Sequence, residues 1–209
     1  MSSISQEGEA SGRVTNPHPD RVEVVSTERA FDGFFRIDRV RFRHARYDGG
    51  MSDEITRLVF ERGDSVAVLP YNRKRSEVVL VKQFRYPAHV RGGPGWLWEI
   101  IAGVQEEGLA PKEVARKEAL EEAGYQLGDL EKIMTVYPSP GACSERIHIY
   151  LAPFEQTDRV AEGGGIESED ILVRTFSLDE ARRMMEDGDI VDAKTTLALQ
   201  YLILHWDDE

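Results

Sequence analysis

The chain has 209 residues with 26 Lys and Arg against 38 Asp and Glu, a formal net charge of −12 that excludes an electrostatic nucleic-acid surface and attraction to an anionic membrane. Its length suits one well-buried domain with a small accessory element. No apolar run approaches the roughly 18 residues of a spanning helix and residues 1–19 lack a signal-peptide core, so a cytoplasmic protein is expected; the single Cys143 excludes an internal disulfide and a multi-cysteine zinc site.

Residues 1–20 are rich in Ser, Gly, Glu and Pro, the composition of a flexible tail. Residues 21–62 carry three strand-like segments: Val22–Val25, Phe34–Phe42 with apolar and basic residues alternating at period two, and Thr56–Phe60. An Asp48-Gly49-Gly50 turn separates the last two. Three strands with little helix make a poor core alone, so this element is expected to lean on the main domain or on a second subunit, and to serve dimerisation.

The main domain, residues 63–209, opens with a buried hairpin of Ser65–Pro70 and Glu77–Phe84 around a polar turn. Pro near its start and Gly at its stop predict a helix from Pro111 to Gly124. Strands follow at Lys132–Tyr137 and Arg146–Ala152, then a Gly163-Gly164-Gly165 loop and a strand from Ile171 to Phe176. Ser177-Leu178-Asp179-Glu180 is a capping box opening a helix, and Asp192 to His205 reads as another amphipathic helix.

On the Pro111–Gly124 helix, Glu118, Glu121 and Glu122 stand at i, i+3 and i+4 and so share one face, with Ala119, Leu120 and Ala123 on the other side as a small apolar face expected to dock against a sheet. Three crowded carboxylates call for a balancing cation, and a hard cation such as Mg2+ prefers oxygen ligands. The same spacing alone also describes a solvated helix face. Context decides: the stretch from Gly103 through Lys117-Glu118-Ala119-Leu120-Glu121-Glu122-Ala123-Gly124-Tyr125 resembles the Nudix box, whose pattern is Gly, five residues, Glu, seven residues, Arg-Glu, an aliphatic, any residue, Glu-Glu, any residue, Gly and an apolar residue. Seven of the nine defined positions match; Leu109 stands where the pattern has its first Glu and Lys117 where it has Arg. In the family these two mainly support the loop, a role that Lys117, Arg116, Glu106 or Glu107 is placed to rebuild.

The resemblance implies the α/β Nudix fold, a mixed β-sheet sandwiched between helices, here with a small N-terminal antiparallel sheet. Outside the box, Lys82-Gln83-Phe84-Arg85-Tyr86, Tyr137–Gly141, Ser144-Glu145-Arg146, Gly163–Ile171 and Asp192-Ala193-Lys194-Thr195 resemble the ADP-ribose and GDP-mannose pyrophosphatase branch. Carried over position by position, the Ala102 carbonyl with Glu118, Glu122 and Glu169 would hold Mg2+, with Mn2+ a substitute. Glu167 would be the catalytic base, with Glu121 second. Arg85, Glu99 and Glu145 would contact substrate. The expected activity is hydrolysis of a nucleoside diphosphate sugar to nucleoside monophosphate and sugar phosphate by a homodimer. The alternative is a Nudix-fold sensor that binds a nucleotide sugar without cleaving it.

Overall fold

The computed structural model describes residues 20–165 and 170–206. The expected tail, apart from Asp20, lies outside the described residues. An antiparallel sheet comes first, with β1 (Val22–Asp32), β2 (Arg36–His44) and β3 (Ile55–Glu61) in that order across it. β1 runs well beyond the expected Val25. Its second half, Ser26-Thr27-Glu28-Arg29, has no apolar period to read and is held by charge across the ladder. Arg39 pairs with Glu28 at 3.1 Å, and Arg29 pairs with Asp38.

The second sheet holds seven strands: β4 (Ser65–Asn72), β5 (Glu77–Phe84), β6 (Trp96–Glu99), β7 (Ile101–Val104), β8 (Glu131–Val136), β9 (Ile147–Pro153) and β10 (Leu172–Ser177). The path across it is β10-β5-β4-β9-β8, with β6 paired to β5 and β7 to β4. Only the β4–β9 pair among these is parallel, running from Ser65 opposite Ile147 to Tyr71 opposite Pro153. That central strand is buried on both sides, as its unbroken apolar run requires.

Four α-helices, α1 (Tyr86–His89), α2 (Pro111–Ala123), α3 (Leu178–Glu186) and α4 (Ala193–Leu204), and one short 3-10 helix, Gln156–Asp158, complete the described chain. Alternate residues of β4 feed two cores. Val66 and Val68 pack with Val114, Ala115, Ala119 and Ala123 of α2, whereas Ala67 and Leu69 pack with Ala181 of α3 and Leu199 and Leu202 of α4. The mixed sheet is thus sandwiched between helices, as the resemblance implied. No helix among the described residues is long and apolar enough to cross a membrane.

The helix ends follow local chemistry. The Glu113 carboxylate accepts the Ala110 N–H at 2.8 Å, and Gly124 at φ 74° stops α2. Ser177 and Asp192 cap α3 and α4, accepting the N–H groups of Glu180 and Thr195 at 3.1 and 3.0 Å. One expectation for α2 is corrected. Leu120 does not dock but is 44% exposed, because Val114, Ala115, Ala119 and Ala123 already define the face turned to the sheet.

Candidate active site

The end of β5, β7, α2 and the glycine loop before β10 meet around one residue, Glu122. Glu122 is only 4% exposed, so it leaves the solvated face that its spacing suggested. Its carboxylate accepts hydrogen bonds from Gln83 Nε2 at 2.7 Å and from the Ala102 N–H at 3.2 Å. Burial pushes the Glu122 carboxyl up to about 7 despite these two donors, and the charge of Glu118 pushes the same way.

Glu118 reaches the same strand. A Cβ added at Gly103 would lie 2.0 Å from Glu118 Oε1, so the absent side chain is what lets this carboxylate close on β7. Two carboxylates therefore converge on Ala102 and Gly103 where one is already strained toward its neutral form. This donor set fits a hard divalent cation, which would supply the missing positive charge and accept water for the remaining ligands. Among the described residues no group of three or more His, Cys, Asp and Glu side chains is spaced to hold a metal. Glu167 and Glu169, the further acids expected from the sequence, lie outside the described residues.

The glycine run is strapped to the end of α2. Gly164 and Gly165 donate N–H bonds to the carbonyls of Glu122 and Glu121 at 2.8 and 3.1 Å. Gly163, Gly164 and Gly165 have φ of 75°, 110° and 83°, and a Cβ at Gly163 would come within 2.6 Å of the Glu122 carbonyl oxygen. These glycines serve close approach of the loop to α2. Glu121 is half-buried, and its carbonyl is the last anchor before residue 166. A cleft of about 690 Å³ runs between the 159–164 loop and Ile171–Val173, but neither Glu118 nor Glu122 lines it.

Arg85 follows β5 and grips Glu99 with its fork, Nε to Oε1 at 2.7 Å and Nη2 to Oε2 at 2.9 Å. Lys194 at the start of α4 binds the same Oε2, and Glu99 is 2% exposed. Glu99, expected on the substrate side, thus has both oxygens engaged by protein cations. Arg85 keeps Nη1 outside that fork on a side chain that is 42% exposed. Glu145 is 8% exposed, accepts a bond from Ser65 Oγ and lies 3.6 Å from Arg62 Nη1. It sits where β4 and β9 begin, and the partners it shows are internal.

The loop from β7 to α2 is supported differently from the family pattern. Lys117 pairs with Glu106, which takes over from position 109, and Gln105 Nε2 donates to the carbonyls of Glu106 and Leu109 at 2.9 and 2.7 Å. Arg116 instead bonds the Gly128 carbonyl at 3.0 and 2.8 Å beyond the helix. Sequence reasoning missed Gln83 and Ser65. The available signal for Gln83 was an amide inside an apolar strand, where burial demands a polar partner.

Comparison with known proteins accords with this geometry. Residues 61–199 match the family described as NUDIX domain. The chain is 40% identical over 185 residues to an ADP-ribose pyrophosphatase of Escherichia coli, covering 88% of each chain. It is 39% identical over 184 residues to a GDP-mannose pyrophosphatase of Pectobacterium atrosepticum, covering 88% of this chain and 94% of that one. A solved structure titled ADP compounds hydrolase superposes with a TM-score of 0.69 at 19% identity, covering 91% of this chain and 96% of that chain, which speaks to the fold alone.

Proposed function

Since this chain belongs to the Nudix hydrolase family, we propose that it is a Mg2+-dependent pyrophosphohydrolase of nucleoside diphosphate sugars, with GDP-mannose and ADP-ribose as its candidate substrates. The nucleotide-sugar class rests on the pyrophosphatase relatives. The observation that carries the chemistry is the pairing of buried Glu122 with Glu118 against Ala102 and Gly103. Ala102, Glu118, Glu122 and Glu169 would hold the cation. Bound there, it would neutralise pyrophosphate oxygens and ease ionisation of the attacking water. Arg85 grips a phosphate through the part of its guanidinium not held by Glu99, and Glu99 fixes the plane of that group. Glu167 takes the proton of the water, with Glu121 as the second candidate; Gly165, bonded to the Glu121 carbonyl, ties the start of the 166–169 segment to α2. Glu145 shapes the sugar side of the site. One water adds across the P–O–P bridge, releasing nucleoside monophosphate and sugar phosphate.

The protein works in the cytoplasm as a homodimer through its N-terminal sheet. Support for the dimer is the exposure of the sheet, with Val24, Phe31 and Leu58 at 62%, 55% and 53%, and of Phe34 at 92% in the bend between β1 and β2.

The test is incubation with ADP-ribose and with GDP-mannose, each with Mg2+, with Mn2+ and with chelator, followed by quantification of the monophosphate. Product in the metal arms alone is expected. Tight binding with no product in any arm would instead make the chain a nucleotide-sugar sensor. Full turnover by Glu167→Gln at saturating Mg2+ would remove Glu167 from the role of base.

A further inference from the structure

We propose that Lys194 is a positioning residue for substrate binding, acting through Glu99 on Arg85; the inference rests on the reading of Arg85 as the phosphate-gripping group. Lys194 lies on the first turn of α4, and its side chain is 11% exposed. Its ammonium binds Glu99 and lies 3.0 Å from Asp192 Oδ1. Glu99 Oε2 accepts from both Lys194 and Arg85 Nη2, so the two cations meet on one buried oxygen.

The turn that carries Lys194 is itself fixed. Asp192 accepts the Thr195 N–H at 3.0 Å and the Thr195 hydroxyl at 2.6 Å. The fully buried Thr195 Oγ1 in turn accepts the Ile100 N–H at 2.8 Å, at the β6–β7 junction two residues before Ala102. Lys194 is thereby held in register with Glu99 by bonds that do not involve its own side chain.

Charge gives this arrangement its consequence. Arg85 and Lys194 together balance Glu99 and Asp192, so the guanidinium is not left alone to neutralise a buried carboxylate. Removing the ammonium would leave the cluster of Arg85, Glu99 and Asp192 with one net negative charge. The fork would be drawn more tightly to Glu99, and an incoming pyrophosphate would meet a weaker attractive field. The loss belongs to binding, because Lys194 acts through Glu99 on Arg85, the group read as gripping the phosphate rather than moving a proton.

The experiment is a kinetic cycle of wild type, Lys194→Met, Arg85→Ala and the double variant on ADP-ribose and GDP-mannose at saturating Mg2+, with thermal midpoints measured in parallel. Lys194→Gln replaces Lys194→Met should the latter fold poorly. The expected result is a KM raised roughly tenfold by Lys194→Met with kcat within about threefold, and no further rise when it is added to Arg85→Ala, as for residues in one ion-pair network. Effects of the two substitutions that multiply would overturn the coupling while leaving the Arg85 reading intact. An unchanged KM in Arg85→Ala would overturn both. A lower midpoint in Lys194→Met with unaltered KM would make the residue purely structural and overturn the inference.

Discussion

A methyl group at residue 103 would collide with Glu118 Oε1 at 2.0 Å, so Gly103→Ala should displace that carboxylate without touching either core. Misplacement of a catalytic group by about 1 Å can cost on the order of 100-fold, and a kcat reduced to that degree with unchanged circular dichroism is the expected outcome. Activity within a few-fold of wild type would mean that Glu118 does its work elsewhere. Gly103, Glu118 and Glu122 were legible in the sequence because their spacing lies along one turn and one helix. Gln83, which donates to Glu122 from 39 residues away, was not, since no local period records a partner on another strand. A linear pattern likewise shows Glu99 as an acid before the box but not the two cations that fold onto it.

Between elements, the Glu99 cluster ties β6 to the start of α4, and its contribution should depend on pH. Burial disfavours the Glu99 carboxylate, but the Arg85 bond and the charge of Lys194 outweigh it and hold the group below its ordinary range. A depressed acid contributes stability that is fully present above the unfolded value of about 4.3 and is lost as pH falls through the folded value below it. The urea midpoint of Glu99→Gln should therefore lie below that of wild type at pH 7 and approach it as the buffer is taken below about pH 4. A gap independent of pH would show that the carboxylate charge contributes nothing there. α2 was legible from Pro111, Gly124 and its uninterrupted helix formers, yet its docking face was not fully so. Leu120 is apolar but turns outward, and hydrophobicity without the position of the sheet could not separate it from Ala119. The full length of β1 was hidden for the opposite reason, its pairing being ionic where an apolar alternation was sought.

For the whole molecule, the contrast between the two sheets is the main feature. β4 is buried on both sides, whereas none of β1 is buried. A three-stranded sheet that covers so little of its own apolar surface makes a poor core alone. Analytical ultracentrifugation should give a dimer for the wild type, and Val24→Asp with Leu58→Asp should shift it toward monomer. A wild-type monomer at all concentrations would refute the dimer. The sandwich itself was legible in outline from the Nudix-like pattern, but the parallel pairing of β4 with β9 was not, because strand neighbours so distant in the chain leave no turn signal between them.

That pairing also sets a timetable for folding. Ser65 and Glu145, which meet where β4 and β9 begin, are 80 residues apart in the chain, so the centre of the sheet closes only after a long loop has lost its freedom. Contacts of such range slow folding, and they place the decisive event late in synthesis. The hairpin of β4 and β5 and the docking of α2 on β4 and β7 use nearer neighbours. On that order of closure, α2 would bring its glutamates to Gly103 before the strand that covers the other edge of β4 arrives.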